Sequence, residues 1–328
     1  MSQPKPRVFV TRVIPDAGLT LLERHTDPDV WPHDRPPTRE ELVRGCKDAD
    51  ALVCLLTEKV DAEVLEAAPK VRIVANVAVG FDNLDVAAGT KAGVVMTNTP
   101  GVLDDTTADL AFALLLCTAR RLAEGDRLTR TGRWGGWGIM QLLGHDVHHA
   151  TLGIVGFGRI GRGVARRALG FDMTVLYSDE FPAPPDVERE LRAARVPFEE
   201  LLTRSDFITL HTPLLPGTKH LMNSAALQKM KPTACLINTS RGPVIDEAAL
   251  VEALRDGTIA GAGLDVYENE PKLSPGLAQL ENVVLLPHIG SASYATRGKM
   301  AQMAANNVIA FFEGKAPPNA LNPEVLKR

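Results

Sequence analysis

A glycine-rich turn between an apolar run and a helical pattern constrains the fold of this chain more than any other feature. The segment "GIVGFGRIGRGVARRALGF" places Gly156, Gly158 and Gly161 in the spacing G-x-G-x-x-G. The spacing alone is a weak signal, but the strand-like run before it and the amphipathic pattern after it give it context. We expect a strand–turn–helix unit that binds a pyrophosphate at the helix N-terminus, where free N–H groups and the helix dipole favour an anion. The alternative is a tight turn with no ligand.

The residue after the next strand-like run predicts which dinucleotide is bound. Asp179 follows "MTVLYS", where an acid can accept hydrogen bonds from the adenosine ribose hydroxyls of NAD(H). Glu180 adds a second negative charge, and the nearest following basic residue is Arg189. A 2′-phosphate would meet like charge and no cation, which favours NAD(H) over NADP(H). The alternative is that this loop turns away and neither acid contacts the cofactor.

Short β-type runs alternate with helical patterns along nearly the whole chain. Before residue 100 the apolar runs are "RVFVT", "ALVCLL", "RIVANV" and "GVVMTN", and from residue 151 a second series begins with "TLGIVG". The alternation predicts an α/β fold with parallel sheets and crossover helices. Thr38 is the predicted N-cap of a helix over "REELVRG". The spacing of residues 104–132 predicts one long helix over most of that stretch.

Length and composition exclude several classes of protein. A chain of 328 residues predicts two domains, and a net charge of −4 without a basic cluster offers no field for nucleic acid or anionic lipid. The longest apolar stretch, "LAFALLLCTA", is about half the length that spans a bilayer. The N-terminal apolar run is too short for a secretion signal, and four scattered cysteines favour buried thiols in a reducing compartment. We expect a cytoplasmic protein with no nucleic-acid or membrane partner.

Three loops that follow apolar runs carry ionisable residues that are not expected in a hydrophobic core. They are "INTSRGPV" with Arg241, "LDVYENEP" with Glu270 and "LPHIGSAS" with His288. Ligands of an open α/β sheet lie outside the carboxyl ends of the strands, so these loops are expected to converge. A guanidinium binds a carboxylate, and an imidazole beside a carboxylate can deliver a proton near neutral pH. Together they predict a site that reduces a 2-oxo acid, although singly they also fit a surface ion pair, a solvated acid and a structural histidine.

The histidine cluster "HDVHH" invites a metal interpretation. His145, His148 and His149 lie beside Asp146, but no nearby cysteine or pair of acids completes a ligand set. The spacing fits a surface loop before the strand at residue 151, and we expect no metal.

Beyond these features the chain resembles a known family, the D-isomer-specific 2-hydroxyacid dehydrogenases, and most resembles its glyoxylate and hydroxypyruvate reductase branch. The resemblance covers nearly the whole chain. It rests on "VGFDNLD", "TTADLAFALLL", the glycine turn, "HTPLLPGTKHLMN", "MKPTACLINTSRGPVIDEAALVEAL", "AGAGLDVYENEP" and "LPHIGSAS".

The resemblance implies a role for each candidate residue. Arg241 would bind the substrate carboxylate and polarise the carbonyl, His288 would be the acid/base, and Glu270 would hold and tune His288. Backbone N–H groups of the loop carrying Val79 and Gly80 would also bind the substrate carboxylate. The remaining residues that the resemblance assigns to the cofactor are Thr107, Arg159, Ile160, Thr212, Pro213, Thr239, Ser240, Asp265 and Gly290, together with His288 itself.

The resemblance also implies the domain organisation. A Rossmann dinucleotide-binding domain, residues 101–288, would be inserted into a flavodoxin-like substrate-binding domain formed by residues 1–100 and 289–328, with a cleft that closes over substrate. The segment from about 103 to 150 would form a homodimer. Trp137 in this arm would reach toward the neighbouring active site and favour small 2-oxo acids, whereas local packing is the alternative for Trp134 and Trp137.

Sequence reasoning thus predicts an NADH-dependent reductase of glyoxylate or hydroxypyruvate. Two alternatives stay open. One is a D-lactate-type or other D-2-hydroxyacid dehydrogenase. The other is a non-enzymatic NADH-sensing corepressor, which the arginine, glutamate and histidine do not exclude and which the lack of long flanking extensions disfavours.

Overall fold

The computed structural model describes residues 4–327 and contains two compact units. One unit comprises the chain up to Leu103 together with the chain from Ser291 onward, and the other is Asp104–Gly290. Each unit is built on its own parallel sheet, which confirms the predicted α/β fold with two doubly wound sheets.

The sheet of the first unit has five parallel strands in the order β2-β1-β3-β4-β5, the flavodoxin-like order. The strands are β1 Arg7–Val10, β2 Asp27–Val30, β3 Ala51–Cys54, β4 Ile73–Asn76 and β5 Val95–Thr97. The helices of this unit are α1 Asp16–His25, α2 Arg39–Cys46, α3 Ala62–Ala67, α4 Val86–Ala92 and α12 Tyr294–Phe312. Alternate residues of the central strands enter two cores, one on each face of the sheet, as expected for a parallel sheet covered on both sides.

The sheet of the second unit has seven parallel strands in the order β12-β11-β10-β9-β6-β7-β8. The strands are β6 Thr151–Val155, β7 Thr174–Ser178, β8 Ala193–Arg195, β9 Phe207–Leu210, β10 Cys235–Asn238, β11 Gly261–Leu264 and β12 Val283–Leu285. The helices are α5 Asp104–Ala119, α6 Leu122–Arg130, α7 Arg159–Ala168, α8 Pro185–Leu191, α9 Phe198–Arg204, α10 Ser224–Lys229 and α11 Glu247–Arg255. The strand order reverses between β6 and β9, which is where a Rossmann sheet binds its ligand.

Two of the edge strands were not predicted from the sequence. β2 reads "DPDV" and pairs only with β1, and β8 is three residues long and pairs only with β7. An edge strand tolerates proline and needs no apolar alternation, so neither segment has a clear strand signal.

The prediction of one long helix over residues 104–132 was wrong. Two helices, α5 and α6, occupy this stretch, and Arg121 between them has a left-handed φ of 53°. The N–H of His145 donates to the carbonyl oxygen of Ala119 at 2.9 Å, which satisfies a carbonyl that a continuing helix would have bonded itself. A contact distant in sequence therefore ends α5.

The predicted helix N-cap at Thr38 is confirmed. Thr38 forms a capping box with Glu41 at the start of α2. All four cysteines are free, and Cys46, Cys54 and Cys235 are buried. Within residues 4–327, no helix combines the length and the apolar character needed to cross a bilayer.

Candidate active site

The glycine turn joins β6 to α7 in the geometry that a bound pyrophosphate requires. Gly156 has a left-handed φ of 90°, and a Cβ there would lie 2.7 Å from the carbonyl of His211. A Cβ on Gly161 would lie 2.3 Å from the carbonyl oxygen of Gly156, so close packing of helix and strand also demands glycine. A Cβ on Gly158 would meet nothing within 4 Å, so this position faces open space. Arg159 and Ile160 begin α7, whose first N–H groups point at that space.

Two buried hydroxyls beyond the strand ends show that this edge of the sheet suits a polar ligand. Thr212 and Thr239 follow β9 and β10, and the Oγ1 atoms of both are buried without a hydrogen-bond partner among the described residues. Unpartnered buried hydroxyls are costly, so their presence indicates a site that a polar ligand completes. Pro213 and Ser240 follow them directly in the chain. The dinucleotide fits this edge.

Asp179 lies against the glycine turn. Its Oδ2 accepts from the N–H of Phe157 at 2.6 Å, and its Oδ1 accepts from the N–H of Phe181 at 3.0 Å. The expectation that no cation lies near this loop was wrong. Nη2 of Arg195 donates to the carbonyl oxygens of Asp179 and Glu180 at 2.8 and 3.0 Å. Arg195 ends β8, one of the strands that the sequence did not reveal, so only the fold brings it to this loop.

The structure brings Glu270 and His288 together at neighbouring strand ends. Nδ1 of His288 lies 2.9 Å from Oε2 of Glu270, and about a third of each side chain is exposed. Burial alone would raise the pKa of Glu270, but the hydrogen bond and positive charge of His288, the N–H of Tyr267 and the charge of Arg241 together lower it below its ordinary value. Glu270 is therefore a carboxylate at neutral pH. The pair can hold an imidazolium whose Nε2 is left to face a reacting group.

Arg241 belongs to the same edge of the sheet. It follows β10 in the second unit, and its charge contributes to the lowered pKa of Glu270. Nη1 of Arg241 donates to the carbonyl oxygen of Ser240 at 2.8 Å. The loop is closely packed, because a Cβ on Gly242 would lie 1.8 Å from the carbonyl oxygen of Tyr267.

The remaining predicted residues belong to other segments of the chain. Val79 and Gly80 follow β4 in the first unit. Trp137 lies in the arm after α6 and is 80% exposed. In the histidine cluster, Nε2 of His148 lies 3.8 Å from Oδ1 of Asp146.

Comparison with known proteins supplies the family. The family model described as "D-isomer specific 2-hydroxyacid dehydrogenase, NAD binding domain" matches residues 112–290. A glyoxylate reductase of Korarchaeum cryptofilum is 55% identical, with 98% of each chain covered. This chain belongs to the D-isomer specific 2-hydroxyacid dehydrogenase family. It is an oxidoreductase, and its second unit is the family's Rossmann domain.

Solved structures agree with this assignment. The TT0316 protein of Thermus thermophilus has a TM-score of 0.90 at 44% identity, over 96% of this chain and 99% of that one. An NADPH-dependent glyoxylate/hydroxypyruvate reductase of Sinorhizobium meliloti, in complex with NADP and malonate, has a TM-score of 0.86 at 33% identity, over 97% of each chain.

Asp265 of this dehydrogenase holds the loop that carries His288. Its Oδ1 and Oδ2 accept from the N–H groups of Ile289 and Gly290 at 2.8 and 2.7 Å. His288 has a left-handed φ of 56°, a conformation that costs about 1 kcal/mol or more and persists only where its surroundings enforce it. Burial raises the pKa of Asp265, against these hydrogen bonds and the charge of His288. Thr107 is buried near Gly290, within 4 Å of where a Cβ would lie.

Glu247 holds the loop that carries Glu270, and sequence reasoning missed it. Although only 3% exposed, its carboxylate accepts from the N–H groups of Glu268 and Ser274, both at 2.8 Å. Glu268 in turn contacts His220, with Oε1 lying 2.6 Å from Nε2. The signal that could have indicated this anchor is an acid in the first turn of α11 with an apolar helix behind it, but the same signal fits an ordinary helix start.

Asn238 holds the third loop. Its Nδ2 donates to the carbonyl oxygen of Arg241 at 2.9 Å, and its Oδ1 accepts from the N–H and the hydroxyl of Ser240. A buried polar side chain thus fixes each loop that carries one of the three candidate catalytic residues.

Proposed function

We propose that this dehydrogenase reduces a small 2-oxo acid, glyoxylate and/or hydroxypyruvate, to the D-2-hydroxy acid with NADH. The observation that carries the proposal is the Glu270–His288 pair beside Arg241, at the same sheet edge as the dinucleotide turn. Relatives at about half identity over nearly the full chain are named glyoxylate reductases, which supports this substrate class.

In this proposal each site residue has a separate role in the reaction. Glu270 accepts a hydrogen bond from Nδ1 of protonated His288, so Nε2 carries the proton that passes to the carbonyl oxygen. Arg241 binds the substrate carboxylate and polarises the carbonyl, and backbone N–H groups of the loop that carries Val79 and Gly80 bind that carboxylate as well. When bound, the reduced nicotinamide supplies the hydride that reaches the carbonyl carbon. The proton and the hydride together complete the reduction.

The cofactor proposal rests on the glycine turn and Asp179. Thr107, Thr212, Thr239, Asp265 and the residues that follow the strand ends line the dinucleotide edge in this proposal. Asp179 and Glu180 disfavour a 2′-phosphate, while Arg195 offsets part of that effect because its guanidinium lies at the same loop. We therefore assign NAD(H) with a discrimination of about tenfold.

The arm supports a homodimer. Its exposed apolar residues form a set that a monomer would leave in water, namely Leu122, Trp134, Trp137, Ile139, Met140 and Leu143. A two-fold interface over this arm would bury them, and Trp137 would favour small substrates. Sedimentation at micromolar concentration tests this assembly, and a monomer would contradict it.

A substrate panel tests the function. NADH oxidation measured with glyoxylate, hydroxypyruvate, pyruvate and larger 2-oxo acids should give the highest kcat/KM for the first two. A maximum with pyruvate would instead indicate a D-lactate-type enzyme. Tight NADH binding without turnover of any 2-oxo acid would indicate a sensor and refute the proposal.

A further inference from the structure

The loop of residues 78–81, after β4, has its carbonyl groups anchored inward. The carbonyl oxygen of Ala78 accepts from the N–H of Thr99 at 2.9 Å. The carbonyl oxygen of Val79 accepts from Nδ2 of Asn98 at 2.8 Å, and that of Gly80 accepts from Nδ2 of Asn76 at 3.0 Å. Three successive peptide units are therefore fixed through their oxygens.

Anchoring each carbonyl sets the direction of the N–H that follows it. In a planar trans peptide the C=O and the next N–H point to opposite sides. The anchored carbonyls thus turn the N–H groups of Val79, Gly80 and Phe81 away from the anchors. Among hydrogen bonds between described residues, none of these three N–H groups is a donor. Successive free N–H groups on one side of a loop form a concavity that binds anions.

The two anchoring amides are themselves fixed. Asn76 is fully buried, and its Nδ2 also donates to Oδ1 of Asn83 at 3.1 Å. Asn98 is 8% exposed, and its carbonyl oxygen accepts from Nδ2 of Asn307, a fully buried residue of α12, at 3.5 Å. Neighbouring asparagines thus contact the side chain of Asn76 and the backbone of Asn98, which favours one orientation of each anchor.

We propose that Asn98 and Asn76 are positioning residues that orient the N–H groups of Gly80 and Phe81 toward the substrate carboxylate. The inference rests on the proposed function, because it needs a carboxylate substrate. The amide is the suitable group here, since it donates to a carbonyl without adding charge. An aspartate in its place could not donate when ionised and would bring negative charge toward a negative substrate.

The test compares Asn98 with a buried asparagine of the same unit. Asn322 is 1% exposed, and its Nδ2 donates to the carbonyl oxygen of Val94 at 2.9 Å, a bond like that of Asn98. Asn322 bonds the backbone at the amino end of β5, away from the loop of residues 78–81. The matched set therefore consists of alanine and aspartate variants at both positions, namely Asn98→Ala, Asn98→Asp, Asn322→Ala and Asn322→Asp. Asn98→Ser replaces the Asn98 variants if they do not fold.

Steady-state kinetics with glyoxylate and with uncharged methylglyoxal give the decisive readout. We expect Asn98→Ala to raise the KM for glyoxylate about tenfold, the effect of one hydrogen bond to a charged group, with kcat and the Kd for NADH within about twofold. Asn98→Asp should raise this KM further. The preference for glyoxylate over methylglyoxal should fall in both, because only glyoxylate carries a carboxylate.

Other outcomes overturn the inference. An unchanged KM, an equal rise in the Asn322 variants, or parallel losses with both substrates would show that Asn98 acts only on stability. If the wild-type protein does not reduce glyoxylate, the proposed function fails separately. Oxalate binding to the enzyme with NADH then tests the loop, and equal oxalate affinity in wild type and Asn98→Ala would overturn its anchoring role.

Discussion

The loops of the two units are anchored by opposite kinds of hydrogen-bonding group. In the second unit Asp265 and Glu247 accept hydrogen bonds from loop N–H groups, which leaves the side chains of His288 and Glu270 for the proposed reaction. In the first unit Asn98 and Asn76 donate to loop carbonyls, which leaves backbone N–H groups to act. The kind of anchor thus decides whether a loop offers its side chains or its backbone.

The charge of the anchors differs for a physical reason. A carboxylate near His288 favours the imidazolium and so supports proton transfer. A carboxylate on the loop of residues 78–81 would repel an anionic substrate, whereas an amide is neutral. The comparison suggests experiments that remove an acting group, then its partner, then its anchor.

The largest effect should come from removing the acting side chain of the second unit. His288→Ala should lower kcat by about 10³-fold, since general acid catalysis contributes about 10²–10⁴-fold, and should leave the Kd for NADH within about twofold. Stopped-flow kinetics and NADH fluorescence measure the two quantities. His25→Ala, at the exposed end of α1 and outside the proposed dimer arm, is the control and should change neither. Equal losses of binding and turnover would mean that His288 is structural.

A smaller effect, with a distinct pH signature, is expected from Glu270→Gln. Protonated His288 lowers the pKa of Glu270, so by reciprocity the carboxylate stabilises protonated His288. Loss of that charge should lower kcat/KM about tenfold or more and move the alkaline limb of the pH profile for reduction to lower pH. An unshifted limb would refute the pairing.

In the wild type, the same lowered pKa sets the acid limit of the pair. The pKa of Glu270 in the folded protein lies below its ordinary value, so ionised Glu270 stabilises the folded state. This contribution to the free energy of unfolding is fully present above the unfolded pKa of about 4.3 and is lost as pH falls through the folded pKa. Thermal unfolding between pH 3 and 6 should therefore show a smaller acid-side loss in Glu270→Gln than in wild type.

Changing an anchor of the second unit should cost less than changing an acting group. Glu247→Gln turns one accepting oxygen into an NH₂ that must face the N–H of Glu268 or Ser274. We expect kcat to fall about tenfold while the KM for the 2-oxo acid changes little, the reverse of the split expected for Asn98. Glu63→Gln, at an exposed helical position, serves as the control. If Glu247→Gln instead raised the KM as Asn98→Ala is expected to do, the proposed difference between acidic and amide anchors would be wrong.

The smallest effect concerns cofactor choice. The ratio of kcat/KM for NADH to that for NADPH should be about ten, and Asp179→Ser with Glu180→Arg should move it toward NADPH. Arg195→Gln, which keeps a donor for the two carbonyls but removes the charge, should raise the ratio. Equal use of both cofactors by the wild type would contradict the assignment.

The sequence by itself determined the fold class and singled out the proposed catalytic side chains of the second unit. Apolar runs that alternate with amphipathic patterns require a parallel sheet with crossover helices, and the glycines at 156 and 161 occupy positions that admit no Cβ without a clash. Arg241, Glu270 and His288 were predicted as site residues because reactive side chains after apolar strands are unusual. These signals are local in the sequence, so they can be recognised without knowledge of any contact between distant residues.

Only the tertiary structure decided what surrounds those side chains. The break between α5 and α6 depends on the N–H of His145, and Arg195 reaches Asp179 only because an edge strand pairs with β7. The anchors Glu247, Asn98 and Asn76 are ordinary residues in sequence, and their partners lie 4 to 27 positions away. A hydrogen bond between distant segments leaves no periodic trace in a chain, because its geometry exists only after the strands have paired and brought both partners to one edge of a sheet.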